Sequence, residues 1–482
     1  MSTDNIKMSS DFKDKKVLVF GLGLLGGGLA TTNRLIKHGA KITITDLKTE
    51  ADLARTLKKI KGKVFLKLAG HSKKDIESSD LIVMNPDVSI NNEYIQYAFK
   101  HGIPVENEAT IFLKQSACPV VGVTGTRGKT TTTHWINHFI GRQFRSAIAG
   151  NSTEYQFLKI VDRTAKLDWV ASEIPSFHLE LFNEEMRKPD IAVITNLYQD
   201  HLNRHGTMNG YADAKANLFT GQRQGQFLVL NADNKWMPYL LKIAKNKSKS
   251  HVWFFSATGK LSKKQNGVFY RKGEIWYQFD GHAHPVIAIK DFEHTHGSHN
   301  LENLLAAALS AYLAGITGKE IQSRIATLPQ IPFRQEIIYT NKRLTIINDT
   351  TATSPDGAIA AVKRFSGPHT ILIAGGTDRD LDFVEWGKVI PQHIKLENII
   401  LLSGSATDKM QASLKGGPFG KSKVASPCQT LADCLAVALA QAQTYGHWVV
   451  LFSPGSKSFE KFKNEFDRGE QFNALVKKVM RR

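Results

Sequence analysis

A chain of 482 residues, 42% hydrophobic and 22% charged, has apolar mass for more than one core, and at about 100 to 200 residues per domain it divides into three. It has no run of about 18 apolar residues, and the opening Met1-Ser-Thr-Asp-Asn-Ile-Lys7 lacks the apolar core of a secretion signal, so a cytoplasmic protein with no membrane insertion is expected. The net charge of +19 raises nucleic acid as a partner. The basic residues are diffuse, however, and their densest stretches, 242 to 249 and 260 to 272, read as solvated turns and edge strands without a nucleic-acid-binding signature. A polyanionic small substrate and no nucleic acid are expected. The cysteines Cys118, Cys428 and Cys434 share no metal-type spacing and cannot all pair, which suits a reducing compartment.

Taken in chain order, Val17 to Phe20 reads as a buried strand that runs into Gly21-Leu-Gly23-Leu24-Leu25-Gly26, a helical stretch to Leu35, and a strand from Lys41 to Thr45 ending on Asp46. This is a Rossmann-like unit, with glycines for the tight turn, a helix N-terminus for a phosphate and an acid about 20 residues on for a ribose hydroxyl. Alone it suggests NAD. Asp80 to Met84 gives a further strand. Val120 to Thr124 then breaks into Gly125-Thr126-Arg127-Gly128-Lys129-Thr130-Thr131 and a helix through Trp135 and Phe139. Glycines that let backbone amides converge, a helix dipole, a lysine and a hydroxyl in this order make a phosphate cradle, with ATP or GTP as its ligand and Thr130 offered to Mg²⁺. Because Val123 stands where the full P-loop pattern has glycine, this is the shortened G-x-x-G-K-T form. A second nucleotide loop makes the first one a site for a nucleotide-tagged substrate or cofactor.

Strands are predicted at 169 to 174, 191 to 195 and 227 to 230, short β-rich runs over 253 to 289, and an Ala- and Leu-rich helix over 300 to 313. A parallel α/β sheet follows. Leu328-Pro-Gln-Ile-Pro332 reads as a linker. Beyond it lie strands at 344 to 347, 371 to 374, 399 to 402 and 448 to 452, a helix opened by Ser354-Pro355 with serine as N-cap, and a terminal helix from Phe472.

Polar residues at strand ends carry the chemistry. Glu173, closing an apolar strand, reads either as a Mg²⁺-binding acid or as an ordinary strand-end carboxylate. Asp200-His201 and Arg204-His205 share one loop, where His201 is a candidate second metal ligand or a structural imidazole. Lys215, in Tyr211-Ala-Asp-Ala-Lys215, would from composition be a surface lysine.

These residues in this order resemble the Mur ligase family over essentially the whole chain. The markers are Gly125 to Thr131, Asp200-His201 with Lys215, His299-Asn300-Leu-Glu-Asn303, Pro332-Phe-Arg334, Asn348-Asp349 with Ala352-Thr353, Gly375-Gly376, Ser453-Pro454, and Ser458 to Asn464 with Arg468-Gly469 and Phe472. The last group selects the branch that adds D-glutamate. The resemblance implies three α/β domains: a Rossmann-like N-terminal domain for the UDP end of the substrate (1 to 117), a central P-loop ATPase domain (118 to 331), and a mobile Rossmann-like C-terminal domain for the amino acid (332 to 482). It implies ATP-dependent ligation of glutamate, D- ahead of L- or another acidic amino acid, to UDP-N-acetylmuramoyl-L-alanine through an acyl phosphate, in peptidoglycan precursor synthesis.

By the same resemblance Gly23, Leu24, Leu25, Asp46 and Asn151 would serve the UDP substrate. The P-loop residues with Asn300, Asn303, Arg334 and Asp349 would serve ATP. Thr130, Glu173, His201 and a carbamylated Lys215 would serve Mg²⁺, and Lys129, His201 and Lys215 would be catalytic. A monomer is expected. Typical members read Ser-Lys-Ala-Thr after the Asn-Asp pair, whereas here Thr350-Thr351-Ala352-Thr353 lacks the lysine. Arg379 stands where a second lysine is usual, and Glu465 where an aromatic residue is common. The acidic amino acid is therefore expected on Arg379, Thr353 and Ser458. A folylpolyglutamate-synthase-like ligase is the competing enzyme, although its loop usually continues Gly-Lys-Gly-Ser. An NAD oxidoreductase would leave the P-loop idle, and a nonenzymatic nucleotide-binding protein would leave Glu173, His201 and Lys215 without a role.

Overall fold

The computed structural model describes residues 12–24, 27–152, 154–259, 261–290, 292–415, 426–442 and 446–481. Leu25, Gly26 and the His299 side chain, which enter the sequence reading, lie outside these. The chain divides at Pro329/Gln330 into two compact units.

The first unit holds two sheets. Apolar runs such as Val17-Leu-Val-Phe20, buried on both faces, form a five-stranded parallel sheet of β1 (Lys16–Phe20), β2 (Lys41–Asp46), β3 (Val64–Leu68), β4 (Leu81–Met84) and β5 (Val105–Glu106), in the order β3-β2-β1-β4-β5. Helical crossovers return each strand parallel to the last, and the order reverses beside β1, where open α/β sheets place their ligands. The second sheet has nine strands: β6 (Val120–Thr124), β7 (Ser146–Gly150), β8 (Trp169–Glu173), β9 (Ile191–Ile194), β10 (Phe227–Asn231), β11 (His251–Ser256), β12 (Gly267–Arg271), β13 (Glu274–Phe279) and β14 (His282–Ala288). Its order is β14-β13-β12-β11-β10-β9-β6-β8-β7, parallel from β7 to β12 and antiparallel at β13 and β14. One continuous apolar core runs from Val17, Val19 and Ile44 through Phe112 and Phe157 to Ile194 and Leu230, and the Arg34–Asp162 ion pair at 2.8 Å links the same parts of the chain.

The second unit has one sheet of β15 (Glu336–Thr340), β16 (Leu344–Asn348), β17 (Thr370–Gly375), β18 (Ile399–Leu402) and β19 (Trp448–Phe452), ordered β15-β16-β19-β17-β18. Only β15 is antiparallel to its neighbour. Separate apolar clusters cover the two faces, one around Trp386, the other around Phe452 and Phe472.

Three local expectations are corrected. The terminal helix spans Glu465–Met480, beginning seven residues before Phe472, because Asn464 caps it by accepting from the Asp467 amide. Residues 242 to 247 lie on the helix Met237–Lys247 rather than in a turn. Ser354 does precede the helix Pro355–Phe365, but its side chain makes no cap hydrogen bond, and Pro355 sets the first turn.

Candidate functional site

The P-loop follows β6 and opens the helix Lys129–Ile140, with Gly128 as a left-handed N-cap at φ 81°. Glycine is required twice here. A Cβ on Gly125 would stand 1.9 Å from Thr195 Oγ1, and one on Gly128 2.0 Å from Asn303 Oδ1. The loop is pinned from the β9 side, since Thr126 N donates to Asn196 O at 3.0 Å, Arg127 N to Asn196 Oδ1 at 2.9 Å, and Thr195 Oγ1 to Arg127 O at 2.7 Å. Lys129 Nζ folds over the loop onto the carbonyls of Gly125 and Thr126 at 3.1 and 3.0 Å. Asn303 bridges to Asn300 Oδ1 at 2.8 Å and receives Thr132 Oγ1 at 3.3 Å, so both asparagines stand against the loop.

Lys215 is 1% exposed, which corrects the surface position that composition alone suggests. Its helix, Met208–Ala216, is capped by Thr207. From it Nζ reaches Gly125 O at 2.9 Å and lies 4.6 Å from the Tyr211 ring centroid. Burial depresses its pKa well below the usual lysine range, and the charge of Lys129 adds to this, while Asp200 and Glu173 oppose it. Glu173 ends β8 and pairs with Gly150 of β7 on one side and Val123 of β6 on the other, one strand over from the loop. Asn151 follows β7 and is exposed. His201 is half exposed at φ 53°, its amide donating to Asp200 Oδ1 at 2.9 Å. The order β9-β6-β8-β7 thus sets the ends carrying His201, the P-loop, Glu173 and Asn151 side by side. Among the described residues no group of three or more His, Cys, Asp and Glu converges on one point. Any cation here would rest on the carboxylate, hydroxyl and imidazole of Glu173, Thr130 and His201 together with phosphate oxygens, a mainly hard oxygen set that suits Mg²⁺.

Two groups, Glu302 and Tyr198, have no role in the sequence reading, and the partners of a third, Arg204, are not legible in it. Glu302, hydrogen-bonded to Asn231 and Asn196, has its pKa raised by burial. Tyr198 N donates to Thr126 Oγ1 at 3.0 Å, and the Tyr198 ring lies under the Arg127 guanidinium at 5.5 Å. Arg204 forms a two-pronged pair with Glu180 at 2.8 and 2.6 Å and also donates to Pro86 O and Val88 O at 2.7 and 2.8 Å. Glu302 sits in the first turn of the helix Leu301–Leu313 and is not singled out in sequence, because what makes it unusual is its burial.

At the first glycine turn the structure alters the expected roles. The amides of Leu22 and Gly23 donate to Asp46 Oδ2 at 2.9 and 3.2 Å, and Lys48 N donates to Oδ1 at 2.9 Å. Asp46, 4% exposed, therefore braces the turn, and those two amides are not aimed outward at a diphosphate. Leu24 is exposed. His71, stacked on Phe20 at 4.0 Å and hydrogen-bonded to Thr45 Oγ1 at 2.7 Å, stands beside this strand end.

In the second unit Asp349 accepts from Ser453 Oγ at 2.7 Å and from Gln335 N at 3.1 Å. Burial pushes its pKa up to about 7. Arg334 sits between Phe333 at φ 64° and Gln335 at φ 49°, two non-glycine residues in the left-handed region. Thr353, Arg379 and Ser458 lie on loops after β16, β17 and β19, three neighbouring parallel strands.

The chain is similar to known proteins along nearly its whole length. The Mur ligase middle domain matches residues 123–311, and the Mur ligase MurD-like N-terminal domain matches 15–107. A UDP-N-acetylmuramoylalanine–D-glutamate ligase from Roseiflexus sp. (strain RS-1) is 34% identical over 96% of this chain and 98% of its own length. One from Pelotomaculum thermopropionicum is 32% identical over 97% and 99%. Among solved structures, a MurF ligase from Thermotoga maritima in complex with ADP shares the fold, with a TM-score of 0.55 at 16% identity, covering 98% of this chain and 99% of that one. A UDP-N-acetylmuramate–alanine ligase from the same organism gives a TM-score of 0.56 at 16% identity, covering 96% and 100%. With full-length relatives above 30% identity and both domain families matched in order, the chain belongs to the Mur ligase family, in its UDP-N-acetylmuramoylalanine–D-glutamate ligase branch.

Proposed function

We propose that the chain joins D-glutamate to UDP-N-acetylmuramoyl-L-alanine at the cost of ATP, in peptidoglycan precursor synthesis. The observation that carries the reading is the buried Lys215 under Gly125 of the phosphate loop, beside Lys129. A cation buried against a second cation is unfavourable, whereas an uncharged amine there can add CO₂ and become a carbamate, whose anionic oxygens suit a site of phosphates and Mg²⁺. Thr130, Glu173, His201 and carbamylated Lys215 would hold the Mg²⁺, which supplies neutralisation of phosphate charge.

A carboxylate and an ammonium do not condense in water, so activation comes first. A carboxylate oxygen of the alanyl substrate attacks the γ-phosphorus, the bond to the bridging oxygen breaks, and ADP leaves. Lys129 and the amides of the loop stabilise the charge on the transferred phosphoryl group. The deprotonated amine of glutamate then attacks the acyl carbon, the carbon–oxygen bond to phosphate breaks, and the amide forms as the nitrogen gives up a proton, which the departing phosphate can take. Asn300 and Asn303 brace the loop and are candidate ATP contacts of the first unit; Arg334 and Asp349 are separate candidate ATP residues of the second. Asp46 holds the first glycine turn in shape for the UDP end, with Gly23, Leu24 and Asn151 as further candidate contacts; Leu25, expected there too, lies outside the described residues. A monomer working without nucleic acid completes the reading.

The test is phosphate release from ATP with UDP-N-acetylmuramoyl-L-alanine and a panel of D- and L-amino acids, with folate and NAD as control substrates. Release that requires D-glutamate is expected, and Lys129→Ala should reduce it by about a hundredfold or more, the scale of losing a principal charge-stabilising donor. Release driven by folate, or by a neutral amino acid, would overturn the assignment.

A further inference from the structure

The loop after Asn348-Asp349 carries no cation, yet an acidic amino acid brings two carboxylates. The order β16-β19-β17 places the loop after β19 between those carrying Thr353 and Arg379. From that middle loop Lys457 Nζ reaches Thr353 Oγ1 at 3.2 Å. Its backbone is fixed on both sides. Thr377 N donates to Lys457 O at 2.8 Å and Lys457 N to Thr377 O at 3.1 Å. The buried Arg468 donates to Lys457 O at 3.1 Å, Ser456 O at 3.2 Å and Thr350 O at 2.8 Å, tying the loop after β19 to the loop after β16.

Two further observations point to a ligand. Ser458 and Ser456, 2% and 0% exposed, each bury a hydroxyl oxygen with no hydrogen-bond partner, which is unfavourable unless something completes the site. The nearby acids have partners of their own: Asp378 pairs with Lys409 at 2.5 Å, and Glu460 accepts from Ser405 N at 3.0 Å and from its hydroxyl. Lys457 and Arg379, by contrast, have no carboxylate within salt-bridge distance among the described residues. Arg379 instead lies over the Phe459 ring at 4.6 Å.

We propose that Lys457 is a specificity-determining residue that receives one carboxylate of the incoming acidic amino acid, beside Thr353 and Ser458, while Arg379 receives the other. This rests on the ligase reading above. Two cations on adjacent loops leave the amine of the substrate unpaired and able to react, and they select a diacid over a neutral amino acid, since a neutral side chain would leave one cation without a counter-charge.

The test is steady-state kinetics of the full-length Lys457→Ala and Lys457→Arg enzymes. Lys457→Ala should raise the KM for D-glutamate about tenfold to a hundredfold, with KM for ATP and for the UDP substrate within about twofold of wild type and an unchanged Tm. Lys457→Arg, which keeps the charge, should recover most of the affinity. An unchanged KM for D-glutamate in folded Lys457→Ala would overturn the proposal, as would a loss shared by all three substrates with a lowered Tm, which would mark Lys457 as structural. If the wild-type enzyme shows no D-glutamate-dependent phosphate release, the ligase reading itself fails, which separates the two.

Discussion

Lys215 and Asp46 show how far single residues speak from sequence. Lys215 looks like any helical surface lysine, and only the family resemblance singles it out. Its side chain passes inward because the helix Met208–Ala216 turns a nearly continuous face of Tyr211, Ala212, Ala214, Lys215 and Ala216 to the protein. Asp46 shows the opposite case: the spacing from the glycine turn identifies it, but not that its lone pairs are taken by Leu22 N, Gly23 N and Lys48 N, because backbone amide directions depend on φ and ψ, which sequence spacing does not record. The carbamate reading of Lys215 has a specific consequence. Lys215→Ala should lose activity on the order of a hundredfold, the scale of removing a group that tunes a metal site, and short carboxylic acids added to the assay should restore part of it. A fully active variant, or one that acetate and formate leave untouched, would show that the lysine acts in another way.

At the level of elements, the sequence marks the strands buried on both faces, whether central or, like β18, at a sheet's end, and not the half-exposed ones. β1, β4, β6, β9, β17 and β18 are apolar runs buried on both faces, and they are legible for that reason. β3, an edge strand, reads Val-Phe-Leu-Lys-Leu with its middle exposed, and β15 alternates half-exposed residues at the other sheet's edge, so neither carries a burial signal. The loop after β9 is legible as a ligand loop but not as a clamp. Arg204 joins this loop to Glu180 and to the carbonyls of Pro86 and Val88, in the loop that follows β4 and whose Asn85 stands over Gly21 and Gly23. It therefore ties the element bearing His201 to the loop that packs against the first glycine turn. Lysine cannot replace a planar fork that makes four contacts. Arg204→Ala should destabilise the protein by about 3 kcal/mol, since it leaves Glu180, whose side chain is 6% exposed, facing the His205 imidazole at 3.5 Å in place of a guanidinium. Arg204→Lys, less destabilised, should still raise the KM for the UDP substrate by about tenfold while sparing that for ATP. Calorimetry with initial-rate kinetics checks both, and wild-type values in both variants would remove the clamp from the account.

For the whole molecule, composition and periodicity give three α/β sheets in the right chain order, while the continuity of one apolar core from β1 to β10 depends on contacts far apart in sequence and is not legible in them. The net charge of +19 is a property of the surface and leaves the fold unconstrained. Stability against pH, in contrast, is set by the few groups that burial perturbs, and in the second unit Asp349 stands out. Its ordinary value of 3.8 is pushed up to about 7 by burial, more than the hydroxyl of Ser453 and the amide of Gln335 can offset. The sign follows from proton binding. Between about pH 4 and about pH 7 the native state keeps the proton that the unfolded chain releases, so stability is full below that window, falls as pH rises through it, and is level above it. Asp349→Asn cannot ionise. It removes an acceptor for the Gln335 amide or the Ser453 hydroxyl, a cost that does not depend on pH, and it abolishes the pH-dependent loss. The Tm of the wild type should therefore fall relative to that of Asp349→Asn as pH is raised from about 4 to about 7, in scans of the full-length chain. A difference that stays constant across the window would mean that Asp349 ionises at its ordinary pH and that the native site stabilises its carboxylate.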